Sequence, residues 1–277
     1  MKVVLILCEG PHDVAFIYRV LRTMNFRNYG EKIGKAPYPL NAIFKNAIEK
    51  HDLNQLNLQN YYPLLPMDIL YKDKIIVLLY SVGGNTKHDR VRDLIGKYLD
   101  ILEVPATDTE ITNISFVFTN DADDKGIESV VNIFKEEYSK TLPLIKEISN
   151  LDIICNEEKN NKELFLGCYI FEKGDGMGKL EDVVLPLMIK DHEPLFTDIE
   201  TFLQKNSSYI PKKHSSDTQK MSIGIAGQLK KPGKTNKVII SDTDYISDQK
   251  IQQDPKIIEL ICYFEKLFST LVKEAVM

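Results

Sequence analysis

The chain predicts an α/β fold, a parallel sheet flanked by helices and followed by a C-terminal helical extension. Three observations carry this expectation. Residues 2–8, 75–82, 114–118 and 164–171 are nearly continuous apolar runs without the polar alternation of a half-exposed strand. Each run is followed by a turn of glycine, proline or acidic residues, and then by apolar residues at helical spacing. Beyond residue 191 the strand-like runs stop and only helical stripes continue. Strands alternating with helices at this spacing give parallel sheets with right-handed crossovers and helices on both faces.

The first run ends at Glu9-Gly10-Pro11, where the strand cannot continue, and Val14, Ile17, Tyr18 and Leu21 mark a helix over 12–24. Asp13 falls in its first turn, where the helix dipole favours negative charge. Residues 25–62 are rich in tyrosine, proline and asparagine and read as an irregular insertion, reaching to about residue 70, with one helical patch at 41–50. The second run stops at Gly83-Gly84-Asn85, and Val91, Leu94, Ile95, Tyr98 and Ile101 stripe the next helix. The third leads into Asp121-Ala122-Asp123-Asp124, after which Gly126 opens a helix carrying Ile127, Val130, Val131, Phe134 and Tyr138. The fourth leads into Gly174-Asp175-Gly176-Met177-Gly178 and a helix over 179–189. Further helices are expected at 195–204, around 223–229 and at 255–275, the last with Ile258, Ile261, Phe264, Leu267, Phe268 and Leu271 on one face. The expected division is an α/β domain over 1–192 and a helical extension over 193–277.

With 277 residues, 43% hydrophobic and 27% charged, the composition is that of a globular chain with a full core. The apolar run near the start is too short to span a bilayer and no secretory signal pattern precedes it, so no membrane partner and a cytoplasmic location are expected. Cys8, Cys155, Cys168 and Cys262 are scattered without a CxxC pair, which indicates neither a disulfide framework nor a zinc site.

The formal net charge of −5 argues against a protein that coats nucleic acid through bulk electrostatics. Its distribution is uneven. Residues 205–238 hold eight lysines (Lys205, Lys212, Lys213, Lys220, Lys230, Lys231, Lys234 and Lys237) against the single acid Asp217, a local +7 that leaves −12 on the remainder. Such a basic segment reads as a solvated stretch or as a phosphate-binding arm, with Lys230, Lys231 and Lys234 the residues assigned to nucleic acid.

Two acidic clusters dominate the functional reading. Glu9 and Asp13 follow the first strand, and Asp121 and Asp123 follow the third. The crevice at the carboxyl ends of parallel strands is where ligands bind, so these acids are expected to converge. Converging carboxylates suit a hard cation, and Mg²⁺ (or Mn²⁺) commonly takes one or two carboxylates, keeps waters and completes its shell with substrate phosphate. Other templates fit less well. An EF-hand loop would place an oxygen ligand where Lys125 stands and a glutamate where Asn132 stands. Haloacid-dehalogenase phosphatases carry Asp-x-Asp on the first strand, and a glycosyltransferase Asp-x-Asp leaves Glu9 without a role. Neither glycine-rich stretch matches a phosphate-binding P-loop.

An apolar strand ending in Glu-Gly, an Asp four residues after the Glu, a helix and a later strand ending in Asp-x-Asp resembles the TOPRIM domain of topoisomerases, primases and OLD-family nucleases. The likeness covers roughly residues 1–190. It is nearest to small stand-alone OLD-like members, through Gly83-Gly84, Gly178-Lys179-Leu180-Glu181, Ala226-Gly227-Gln228 and Pro232-Gly233. This resemblance implies a TOPRIM/Rossmann-like sheet and Mg²⁺-dependent phosphodiester hydrolysis or phosphoryl transfer on nucleic acid. It assigns Glu9 to proton transfer beside the metal, Asp121 and Asp123 to the metal, Asp13 and Glu181 to further ligation, and Lys179 to the phosphate. No ATPase motif is visible, so an ATPase would be a separate partner protein. The rival class is a non-catalytic module that binds nucleic acid or a partner and keeps the acids as a regulatory cation site; a phosphatase with a phospho-aspartate at Asp121 is a third.

Overall fold

The computed structural model describes residues 1–49, 65–83, 87–158, 160, 162–212 and 217–273. Expectations at Gly84, Asn85 and Lys213, at the last residue of the 41–50 patch and at the end of the final helix lie outside these residues. In chain order the elements are β1 (Lys2–Cys8), α1 (Pro11–Thr23), β2 (Arg27–Asn28), α2 (Leu40–Glu49), β3 (Asp68–Lys72), β4 (Ile75–Ser81), α3 (His88–Glu103), β5 (Asn113–Asp121) and α4 (Ile127–Tyr138). They continue with β6 (Ile153–Glu158), β7 (Lys162–Phe171), α5 (Leu180–Ile189), α6 (Glu193–Lys205), α7 (Thr218–Lys230), α8 (Asn236–Asp242), α9 (Asp248–Gln253) and α10 (Pro255–Lys273).

The fold is α/β, with a seven-stranded sheet in the order β2-β3-β4-β1-β5-β7-β6. Its centre, β4-β1-β5-β7, is parallel throughout. The edges are not. β3 runs antiparallel to β4 and β2 to β3, and on the other side β6 runs antiparallel to β7. A wholly parallel sheet was the expectation, and the difference has a local cause. Lys72 pairs with Ile75 across the two residues Asp73 and Lys74, and Asp73 takes a φ of 53°. A two-residue loop of this kind can join only antiparallel strands.

β1 explains why two layers of helix are needed. Side chains alternate across a strand, so Val4, Ile6 and Cys8 enter one core while Val3, Leu5 and Leu7 enter the other. The second core is covered by α3 and α4 through Ile95, Tyr98, Val131 and Phe134. The first is covered by α1, α5 and the C-terminal helices, with Ile239 and Ile240 of α8 and Leu260 and Phe264 of α10 among its buried residues. The extension therefore packs directly onto the α/β core. In α10 the buried stripe is Ile257, Leu260, Phe264, Leu267 and Leu271, and Ile258 is exposed, one position away from the expected face.

The basic segment is likewise more ordered than a solvated stretch. Ile223, Ala226 and Gly227 of α7 are buried, and a Cβ on Gly227 would lie 2.0 Å from the Ile239 Cδ1, so glycine is required for α7 to approach α8. No helix among the described residues is long and apolar enough to cross a membrane.

Candidate acidic site at the carboxyl edge of the sheet

The site starts from strand register. β1 and β5 pair in parallel with Cys8 opposite Thr119, so Glu9 leaves the sheet beside Asn120, and the Asn120 amide donates to Glu9 Oε2 at 3.1 Å. Asp121 is the last residue of β5. Asp13 stands in the first turn of α1, is only 5% exposed, and accepts the Gly10 N–H through Oδ2 at 2.7 Å. It caps its helix and faces the cluster at once, so the two roles do not compete.

The glycine-rich loop after β7 brings the remaining acid. Asp123, with a φ of 48°, exchanges backbone hydrogen bonds with Gly178 at 2.7 and 3.0 Å. Gly178 has a φ of 115°, and a Cβ there would lie 3.1 Å from the Lys173 backbone nitrogen and 2.9 Å from Asp182 Oδ2. A side chain would break the seam. With the seam closed, the first turn of α5 sits on the end of β5, and the Leu180 N–H donates to Asp121 Oδ1 at 2.8 Å. Glu181, 3% exposed, follows directly.

Electrostatics divides these acids. Burial, followed by the charge of Asp13, pushes the Asp121 carboxyl well above the ordinary range despite the Leu180 N–H. Burial also raises Asp13, with Glu9 and Glu181 adding repulsion against the help of the Gly10 N–H. Glu9 is raised by burial and then by Asp123, while Lys220 and Lys125 pull the other way. Glu181 differs. Burial pushes it up, but the His12 ring at 3.4 Å and Lys220 at 3.9 Å more than offset this and hold it below its ordinary value.

Glu9, Asp13, Asp121, Asp123 and Glu181 are therefore gathered at one edge of the sheet. Their oxygens are hard donors, the chemistry Mg²⁺ or Mn²⁺ prefers. Among the described residues, however, no group of three or more histidine, cysteine, aspartate or glutamate side chains could hold a metal ion.

Lys179 is half-buried at the N-cap of α5, where its backbone N–H donates to Asp182 Oδ2 at 2.9 Å. Two of the three lysines assigned to nucleic acid have acidic partners. Lys230 pairs with Asp244 at 3.0 Å and Lys231 with Asp242, acids lying just beyond the window in which the segment looks unopposed. Lys234 follows in the turn after α7, its N–H bonded to the Lys231 carbonyl at 3.2 Å. At 1.5 Å per residue, Lys230 lies about 15 Å along α7 from Lys220.

Three site residues escaped the sequence reading in their roles: Asn120, His12 and Lys220. The Asn120 contact was foreseeable from strand register alone. His12 and Lys220 meet Glu181 across 169 and 39 residues of chain, and no local pattern marks such contacts.

An α/β protein with acids at the carboxyl edge of the parallel centre of its sheet, beside a glycine-rich loop and a helical layer, is the class that fold and site define. The chain belongs to the family described as protein of unknown function DUF3226, whose model matches residues 3–269. A solved structure, that of hypothetical protein PH0156 from Pyrococcus horikoshii OT3, is similar at a TM-score of 0.46 and 15% identity, with 99% of each chain covered. No curated protein matches the chain.

Proposed function

We propose that the acidic edge is the active site of a Mg²⁺-dependent enzyme of the TOPRIM, OLD-like kind, acting on nucleic acid by phosphodiester hydrolysis or phosphoryl transfer. The observation that carries this reading is the delivery of Glu9 and Asp121 by adjacent parallel strands to one edge, with Glu181 seated beside them by the Gly178 seam. Asp121 and Asp123 would hold the cation, with Asp13 and Glu181 as further ligands and Lys179 toward the phosphate. Bound Mg²⁺ would supply positive charge to the phosphate oxygens and orient them. Glu9 would take or give a proton there, its carboxyl being raised above the ordinary value by burial and by Asp123. Burial of Asp13 and Glu181 keeps bulk water from screening the charges that the cation must meet. A cytoplasmic setting accords with the free thiols of Cys8, Cys155, Cys168 and Cys262, and an ATPase acting with this chain would be a separate protein.

The test is incubation of the purified protein with Mg²⁺ or Mn²⁺ and labelled single- and double-stranded DNA and RNA. Metal-dependent cleavage that disappears in Asp121→Asn and in Glu9→Gln is the expected result. The second reading is a non-catalytic module that keeps the acids as a regulatory cation site. Metal-dependent binding of nucleic acid without cleavage would establish that reading instead.

A further inference from the structure

A groove of about 920 Å³ opens between α5, α6 and α7, a volume in the range of small-molecule sites. Its floor is apolar, formed by Leu185, Ile189, Phe196, Leu203 and Ile210. Two carboxylates line it from α6. Glu193 and Glu200 are seven residues apart, two turns of helix, so they share one face and stand about 10 Å from each other along the axis. Glu193 Oε1 accepts the Asp191 N–H at 3.3 Å, and Glu200 Oε1 accepts the Gln204 amide at 3.2 Å. Among the described residues no lysine, arginine or histidine pairs with either carboxylate, and Oε2 of each is left without a hydrogen-bond partner. Lys212 also lines the groove and has an interaction of its own.

Several of the donors along the groove are already spent on the protein. The Thr197 hydroxyl donates to the Glu193 carbonyl at 2.9 Å, the Ser222 hydroxyl to the Thr218 carbonyl at 3.0 Å, and the Gln219 amide to Asp182 Oδ1 at 2.7 Å. What the groove chiefly offers a ligand is therefore an apolar floor with two negative charges along one side. We propose that it binds a linear aliphatic amine of the diamine or polyamine class, the methylene chain lying on the floor and the ammonium groups meeting Glu193 and Glu200. A fatty-acid chain of the same length would gain the floor but face repulsion from both carboxylates. A single amine would satisfy only one of them, whereas two amines spaced by about 10 Å reach both. The inference stands on α5, α6 and α7 and does not depend on a cation at the acidic edge.

The test is calorimetry on the full chain with octamethylenediamine, tetramethylenediamine and octanoate as probes, in metal-free buffer. Octamethylenediamine is expected to bind about tenfold or more tightly than tetramethylenediamine, because each methylene taken from water contributes up to about fourfold. Octanoate should not bind. The double change Glu193→Gln and Glu200→Gln keeps both hydrogen-bond acceptors at the surface, so the melting temperature should hold while affinity for the long diamine falls by about tenfold. Thr197→Trp, which fills the groove without altering its charge, should abolish binding. Octanoate binding as tightly as the diamine, or a diamine affinity unchanged in the double glutamine variant, would overturn the proposal. No heat from the long diamine with the unmodified chain would overturn it too. So would light scattering that shows a dimer which Thr197→Trp converts to monomer, since a second copy would then occupy the groove.

Discussion

Two kinds of buried charge in this molecule are handled in opposite ways. Lys162 and Lys250, 1% and 6% exposed, are each surrounded by carbonyl oxygens. The Lys162 ammonium donates to Ile101 and Val104 at 2.6 and 2.5 Å, capping the C-terminal end of α3. The Lys250 ammonium donates to Leu187 and Tyr245 at 3.0 Å and to Lys190, and lies 3.5 Å from Asp191, capping α5. Helix C-termini present unpaired carbonyls and the negative end of the dipole, so both cations are fully employed by the fold. At the carboxyl edge Asp13 and Glu181 are buried to a comparable degree, while Glu9 and Asp121 are half-buried and Asp123 is exposed, and like charges act on several of them. A fold gains nothing from such repulsion, and groups with pKa values raised by burial and like charges cluster at functional sites.

The contrast makes opposite forecasts for removing charge. The largest effect is expected at Lys250→Ala, which strands several carbonyls at once and should lower unfolding stability by about 2–4 kcal/mol. Urea denaturation measures this, and the loss should be the same with and without Mn²⁺. A loss below about 1 kcal/mol would mean that the cap contributes little and would break the comparison.

Asp121→Asn should move the other way. Removing a carboxyl that the fold holds protonated far above its unfolded pKa is expected to raise metal-free stability at neutral pH by on the order of 1–2 kcal/mol. The double change of Asp121 and Asp123 to Asn should also abolish any rise in melting temperature with Mn²⁺, since ligand binding to the native state alone stabilises it. An Mn²⁺ response that survives the double change would contradict the site assignment.

The pH dependence follows from the same repulsion. Glu9, Asp13 and Asp121 have carboxyl groups raised above their unfolded values, so above about pH 4 the native state binds more protons than the unfolded state. Stability of the metal-free protein should therefore decline as pH rises through and beyond that point, and Asp121→Asn should flatten the decline. A midpoint that climbs steadily from pH 5 to pH 8 would contradict the shifts.

How much of this was legible in the sequence follows from the range of the interactions involved. β1 could be read because a strand buried on both faces is apolar at every position, and the acids could be read because each follows such a strand. β3 and β6 could not: Asp68–Lys72 is charged at both ends, and Ile153–Glu158 turns polar after three residues, as edge strands do. α8 and α9, only 7 and 6 residues long, are too short to show a helical stripe. The closing seam at Gly178, the Leu180 bond to Asp121 and the contacts of Lys220 depend on tertiary docking, which no local pattern encodes. The basic segment misled for a related reason, since the acids that balance Lys230 and Lys231 lie in the following helix and turn.

The smallest effect is therefore expected at that segment. Lys230→Ala and Lys231→Ala break surface pairs that contribute little, and the unfolding midpoint should hardly move. If Lys230, Lys231 and Lys234 do contact phosphate, neutralising all three should make the slope of log affinity against log salt shallower by roughly 0.7 to 0.9 per lost contact.

The most direct measurement is a crystal soaked in Mn²⁺, with anomalous scattering used to locate the ion. The account predicts a peak at the carboxyl edge, between the carboxylates of Glu9 and Asp121, with Asp123 or Glu181 close enough to share it. Saturating Mn²⁺ that leaves this edge without a peak, or that places peaks only on other parts of the surface, would contradict the central claim.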